Sequence, residues 1–122
     1  MKPLLLFITL LSLSSFHVKT MPVKTYSVGY IYLDGKKMHI AEINALRKKI
    51  IEEYKSGTDF KTLIDTYNMD HNPVARNYNF NAEEVVPEFT SAVKEHNVGD
   101  IFTVDVPDNK WYYVVLRNPD AD

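Results

Sequence analysis

The chain of 122 residues is long enough for one domain, and its 45% hydrophobic and 25% charged residues are an ordinary globular composition. The sequence contains no cysteine, which excludes disulfides, a thiolate nucleophile, cysteine metal sites and a lipid-modified cysteine within it. Two of the 14 basic residues and none of the 16 acidic ones fall in residues 1–20, so the remainder carries a net charge of −4. Mild acidity without a basic run argues against nucleic acid and anionic membrane surfaces as partners.

Residues 1–20 have the pattern of a secretory signal peptide. Lys2 precedes an apolar run from Leu4 to Leu13, and small serines follow. Ten apolar residues are too few for a bilayer, which needs about 20 in a helix. We therefore expect an exported protein, periplasmic or extracellular, that is cleaved between residues 15 and 24. A single domain, residues 21–122, would remain, without stable membrane insertion.

The domain is predicted to open with a strand followed by a helix. Residues 24–33 alternate as a strand does, and one side carries Tyr26, Val28, Tyr30 and Tyr32. Asp34-Gly35 is a turn dipeptide that would also allow a hairpin into residues 36–40. From Ala41 onward the spacing of apolar residues is helical, with Ile43, Leu46, Ile50 and Tyr54 on one face. Gly57 is placed to end this helix.

A second, shorter helix is predicted after that glycine. Thr58 would cap it, and its apolar face consists of Phe60, Leu63, Ile64 and Tyr67. The polar segment 68–79 is expected to be a loop or an irregular edge.

A third helix and two strands complete the predicted domain. Asn81 and Glu84 have the spacing of a capping box, and the helix would become regular near Pro87 and run to about Glu95. Two β-prone runs follow a Gly-Asp turn, Ile101–Val106 and Trp111–Arg117. An antiparallel sheet flanked by helices, an α+β fold, accommodates these elements.

Several short motifs follow one another in a fixed order between residues 24 and 117. They are Gly57-Thr58-Asp59-Phe60 with Leu63, Tyr67-Asn68-Met69-Asp70, the trio Phe80, Val85 and Phe89, and Val98-Gly99-Asp100-Ile101. In this order and spacing they resemble the parvulin-type peptidyl-prolyl cis-trans isomerases. The resemblance implies a four-stranded antiparallel sheet in the order β-α-α-β-α-β-β, isomerisation of proline-containing polypeptides, and no cofactor or metal.

The resemblance also implies site residues, and the chain departs from the family there. Tyr30 and Tyr112 stand at the two positions where the family usually has histidine, and Asp70 stands at its pocket aspartate or cysteine. Asn77 falls at the pocket leucine, and Pro107 falls where a hydroxyl residue is common. The implied catalytic residues are therefore Tyr30, Asp70 and Tyr112, and the implied substrate-binding residues are Asn77, Val85 and Phe89.

Prolyl isomerisation does not strictly require histidine, because no covalent bond is made or broken and no proton must be transferred. An enzyme holds the ring in an apolar slot, removes water from the imide carbonyl and binds the twisted state best. Tyr30 and Tyr112, on adjacent inner strands, would form a hydrogen-bonded group with Asp70. Weak or altered catalysis is therefore expected.

Two other interpretations stay open. A non-catalytic peptide-binding or chaperone module would use the same groove, and a groove blocked by Tyr30 or Tyr78 would favour it. Alternatively, the domain would share only the architecture of the family, and its tyrosines would then serve simple cross-strand packing. A sheet in which Tyr30 and Tyr112 are not neighbours would point to that last case.

Overall fold

The computed structural model describes residues 24–121, so the predicted signal peptide, residues 1–20, lies outside the described residues. The strands are β1 (Thr25–Asp34), β2 (Tyr78–Phe80), β3 (Ile101–Val106) and β4 (Trp111–Ala121). The helices are α1 (Ile40–Lys55), α2 (Phe60–Tyr67) and α3 (Pro87–Glu95), with short 3-10 turns at Pro73–Arg76 and Pro107–Asn109. No helix of the described part is long and apolar enough to cross a membrane.

The four strands form one antiparallel sheet in the order β2-β1-β4-β3. The first and last strands are thus the central pair, and their register runs from Thr25 opposite Ala121 to Asp34 opposite Trp111. The predicted α+β fold, its antiparallel four-stranded sheet and its order β-α-α-β-α-β-β are confirmed.

The helices cover both faces of this sheet. Helices α1 and α2 share one face, where Arg47 of α1 bonds Asp105 of β3 and Phe60 of α2 lies over Gly29 of β1. Helix α3 covers the opposite face through Phe89. Because both faces are covered, β1 is buried almost throughout, as a central strand between two helical layers must be. The core therefore has two layers, and the candidate site lies in the α3 layer.

Most turn, cap and periodicity signals of the sequence predict the observed elements, and three predictions need correction. The turn at Asp34-Gly35 leads into α1 rather than into a hairpin strand, and the Gly35 N–H donates to the Lys110 carbonyl of the neighbouring connection at 2.8 Å. The N-cap of α2 is Asp59, not Thr58. The Glu84 carboxylate does accept the Asn81 N–H at 2.8 Å, but this pair closes a turn before α3.

Candidate functional site

A cavity of ≈ 470 Å³ opens between the central strands and the start of α3. Tyr30 of β1 and Tyr113 of β4 form its sheet side, and Phe89 of α3 faces them. Val85, in the turn that leads to α3, is half-buried in its wall. Pro87 is the first residue of α3, a position where a backbone N–H would have no partner within the helix. Phe89 follows two residues later and lies over the sheet. Three separate elements thus converge on one concavity with an aromatic wall.

The rings around this cavity meet edge to face. The Tyr113 centroid lies 5.2 Å from that of Phe89 and 6.0 Å from that of Tyr30. Tyr78 of β2 lies 5.8 Å from Tyr30 in the same kind of arrangement. Edge-to-face pairs at such separations are favourable beyond the area they bury. The aromatic wall is therefore held in place by its own contacts.

Asp70 brings a carboxylate to the rim. The Tyr30 hydroxyl donates to its Oδ2 at 2.8 Å. Its other oxygen accepts from the Asn68 side-chain amide at 2.7 Å and from the Asn72 N–H at 2.9 Å. The loop itself is tied to β1, because the Tyr32 N–H donates to the Asn68 side-chain oxygen at 2.8 Å. The predicted contact between Tyr30 and Asp70 is thus present.

Both tyrosines of the sheet side are held in the neutral form. Burial, and then the hydrogen bond to Asp70, raise the pKa of Tyr30 well above that of a free phenol. Burial, with smaller contributions from Tyr32 and Asp70, raises the pKa of Tyr113 to about 12. Neutral phenols donate and accept hydrogen bonds. Near neutral pH these tyrosines can therefore orient a polar group but cannot supply a charge.

Tyr112 does not belong to this cavity, which corrects its predicted placement. It pairs with Leu33 in the sheet, whereas Tyr113 pairs with Tyr32 and shares its face. The Tyr112 ring lies on the α1 side, 5.6 Å from the guanidinium carbon of Arg47. Because side chains alternate along a strand, an alignment one residue out of step moves a residue to the wrong face. Tyr30 and Tyr112 are therefore not neighbours, which is the arrangement expected for a domain related only by architecture. Tyr113 lies where Tyr112 was expected, with its ring centroid 6.0 Å from that of Tyr30.

Asn77 also lies outside the cavity. Its side-chain oxygen accepts from the Ser27 hydroxyl at 2.7 Å, which ties the end of the 3-10 turn to β1. Val74, in the first half of that turn, contributes to the cavity instead. A 3-10 turn, Pro73–Arg76, precedes Asn77. Because side chains in such a turn do not alternate as they do in a strand, a count back along the sequence from Phe80 does not find the residue that faces inward.

Eight residues line the cavity without belonging to the predicted set of site residues: Asn72, Val74, Tyr78, Glu83, Glu84, Val86, Trp111 and Tyr113. A signal for Tyr113 exists in the sequence. In β3 the residues Phe102, Val104 and Val106 alternate with polar neighbours, and the hairpin pairs Val106 with Trp111. Residues opposite one another share a face, so Trp111 and Tyr113 are on the apolar side of β3. No comparable signal identifies Val74.

Residues 24–121, the part of the chain that the structure describes, contain no group of three or more histidine or acidic side chains positioned to bind a metal ion. His71, beside Asp70, is exposed and has a left-handed backbone, with φ of 53°. It borders a different cavity, together with Asp65 and Arg76.

Comparison of the sequence with protein-family models and with curated proteins gives no match. Solved structures do match. A PpiC-type peptidyl-prolyl cis-trans isomerase domain superposes with a TM-score of 0.69 at 15% identity, over 82% of this chain and 94% of that domain. The peptidylprolyl isomerase PrsA from Bacillus anthracis gives a TM-score of 0.64 at 19% identity, over 92% of this chain and 49% of PrsA.

PrsA from Bacillus subtilis gives a TM-score of 0.59 at 16% identity, over 78% of this chain and 35% of PrsA. The chain thus spans about half of one PrsA protein and about a third of the other. At these identities the likeness concerns the fold. The described part of the chain has the fold of a parvulin-type, PpiC-type peptidyl-prolyl isomerase domain.

Proposed function

We propose that the protein is an exported peptidyl-prolyl cis-trans isomerase that acts weakly on proline-containing polypeptides during their folding. The observation that carries this proposal is the aromatic cavity between β1, β4 and α3, lined by Tyr30, Tyr113 and Phe89 in a domain with this fold. Export rests on the signal-like pattern of residues 1–20.

The cavity suits the physical needs of the reaction. Rotation about the imide bond loses amide resonance, and the uncatalysed barrier is about 18–20 kcal/mol. Val85, Phe89 and Tyr113 would hold the proline ring and exclude water from its carbonyl, which favours the less polar twisted state. Tyr30, oriented by Asp70, would fix the neighbouring backbone. We assign to Tyr113 the role predicted for Tyr112, as a wall and a neutral hydrogen-bonding group.

A non-catalytic peptide-binding module is the second candidate. The observation that favours it is that the Tyr30 hydroxyl is already bonded to Asp70, so the rim offers little polar chemistry that would change during rotation. Such a module would still bind extended, proline-rich chains through the same rings. A chaperone role would follow from binding alone.

NMR exchange spectroscopy on a short proline peptide with the purified protein separates the two candidates. An isomerase gives cis/trans exchange cross peaks that grow with protein concentration. Val85→Ser, at the half-buried wall, should weaken them several-fold, while Val98→Ser is the matched control, since Val98 is 50% exposed and outside the cavity. Shifts at Tyr113 without exchange would establish the binding module. If several peptides produce neither exchange cross peaks nor shifts, both candidates are contradicted.

A further inference from the structure

The walls of the cavity combine two kinds of chemistry. Five of the lining side chains are aromatic: Tyr30, Tyr78, Phe89, Trp111 and Tyr113. Three more are carboxylates, Asp70, Glu83 and Glu84, and none of the lining residues is lysine, arginine or histidine. Aromatic faces attract cations through their negative quadrupole, and carboxylates attract them directly. The lining is therefore complementary to a positive charge as well as to an apolar ring.

The two glutamates lie in the turn that leads into α3, next to Val85 in the chain. Glu84 is oriented by one of its oxygens, which accepts the Asn81 N–H. It also lies close enough to Tyr78 to add to the effect of burial in raising the pKa of that phenol. A carboxylate has more acceptor sites than this one bond uses. The turn thus presents negative charge beside the apolar wall, rather than away from it.

We propose that the cavity selects polypeptides in which a lysine or arginine flanks the proline, and that Glu83 and Glu84 determine this preference. This inference rests on the proposed function, because it takes the cavity as the place where the proline segment binds. The proline ring would occupy the apolar wall around Val85 and Phe89. The neighbouring basic side chain would then reach the two glutamates at the rim and lie over an aromatic face.

The same arrangement disfavours acidic neighbours. A glutamate beside the proline would bring a fourth negative charge to a concavity that already carries three, and like charges repel. Low-dielectric aromatic walls strengthen the field in a concavity relative to open solvent. The discrimination is therefore expected to act in both directions, in favour of basic and against acidic flanking residues.

Three otherwise identical short peptides test the inference, with lysine, alanine or glutamate immediately before the proline. Their dissociation constants for the purified protein would be measured by NMR titration or by fluorescence of Trp111, the single tryptophan, which lines the cavity. The lysine peptide should bind about threefold to tenfold more tightly than the glutamate peptide, with alanine between them. The difference should shrink in high salt, because ions screen exposed charges.

The double variant Glu83→Gln/Glu84→Gln should remove the ordering, so that the three peptides bind with similar affinity, since glutamine keeps the shape and can still accept the Asn81 N–H. Glu88→Gln is the matched control: Glu88 is an exposed glutamate of α3 outside the lining. The Glu88→Gln variant should keep the order of affinities of the three peptides. Equal affinities in the unaltered protein, or an ordering that survives in the double variant, would overturn the charge preference alone. Failure of all three peptides to bind would overturn the proposed function, and the inference with it.

Discussion

At the scale of single residues, the hydrogen bond between Tyr30 and Asp70 joins the central strand to the loop after α2. Tyr30→Phe removes the hydroxyl that donates to Asp70 and keeps the ring in its edge-to-face contacts. Asp70 retains its bonds from Asn68 and Asn72, so the change should lower the free energy of unfolding by only about 1–2 kcal/mol. Urea unfolding measures this, and peptide binding should weaken as the loop loosens.

Tyr112→Phe is the natural control for that variant. The Tyr112 ring lies on the α1 side of the sheet and takes no part in the cavity. Peptide binding and cis/trans exchange should therefore stay within about twofold of the unaltered protein, because the half-buried Tyr112 side chain lies outside the cavity lining. A large loss of binding in Tyr112→Phe, with none in Tyr30→Phe, would contradict the assignment of Tyr113 to the site.

Buried phenols also predict how stability changes with pH. The pKa values of Tyr30 and Tyr113 in the folded protein lie above the ordinary value of 10.0. Above about pH 10 the unfolded chain therefore releases protons that the folded protein keeps. The resulting stabilisation is fully present below that pH and is lost as pH rises through the raised pKa values. Urea unfolding from about pH 8 to about pH 11 should show this decline, and it should be shallower in Tyr30→Phe/Tyr113→Phe. An unchanged slope in the double variant would assign the decline to other groups.

Four of the residues named from the sequence, Tyr30, Asp70, Val85 and Phe89, line the observed cavity, and their role in catalysis or binding stays a prediction. Val85 lies in the turn before α3 and Phe89 in the first turn of that helix, so both follow from the local sequence, and Tyr30 meets Asp70 as expected. Tyr112 and Asn77 were misplaced because their facing depends on strand register and on a 3-10 turn. The start of β4 is apolar on both faces, so its own residues show no alternation, and the inward face follows only from the alternating partner strand β3. The 3-10 turn before Asn77 has no such patterned partner.

At the scale of elements, α1 is fixed to the sheet by a buried arginine. Arg47 is 6% exposed and bonds the Asp105 carboxylate and the Asn44 side chain. It also donates to the Tyr113 carbonyl at 3.4 Å, and so reaches the strand whose other side forms the cavity. A guanidinium is suited to this because its donors form a rigid fork. The α1 layer and the α3 layer are thus connected through β4.

Arg47→Ala should lower the free energy of unfolding by about 2–4 kcal/mol, because it removes both the charged hydrogen bonds and the packing of the side-chain stem. Lys48→Ala is the matched control, since Lys48 is the exposed neighbour on the same helix. Its effect should stay within about 0.5 kcal/mol. Thermal or urea unfolding checks both variants. Equal effects would mean that α1 is held by its apolar face alone.

The bounds of most elements followed from the sequence. Ile101–Val106 is the predicted strand, and β1 differs from its prediction by one residue at each end. Turn dipeptides and apolar periodicity depend on residues close together in the chain, so the elements that they predict do not depend on distant contacts. The three-residue strand β2 was not located from the residues alone, because it lies in a polar segment and exists only through its pairing with β1.

At the scale of the whole molecule, the cavity depends on contacts between distant parts of the chain. Tyr30 lies on β1, Phe89 on α3 and Tyr113 on β4, and β1 pairs with β4 over most of its length. No single hairpin or helix contains the site. The site should therefore form and disappear together with the sheet, and a variant that weakens the central pairing should lose peptide binding as well as stability.

This dependence predicts cooperative unfolding that one tryptophan can report. Trp111 begins β4 and lines the cavity, so its fluorescence follows the site, while far-UV circular dichroism follows the helices and the sheet. The two signals should give the same urea midpoint, with a slope of about 1–3 kcal/mol per molar urea, as expected for a small two-state domain. A fluorescence midpoint clearly below that of circular dichroism would contradict this prediction, because it would mean that the cavity opens while the sheet persists. In that case the aromatic wall would be a separately mobile unit, and peptide binding would have to stabilise the α3 layer before any isomerisation could occur.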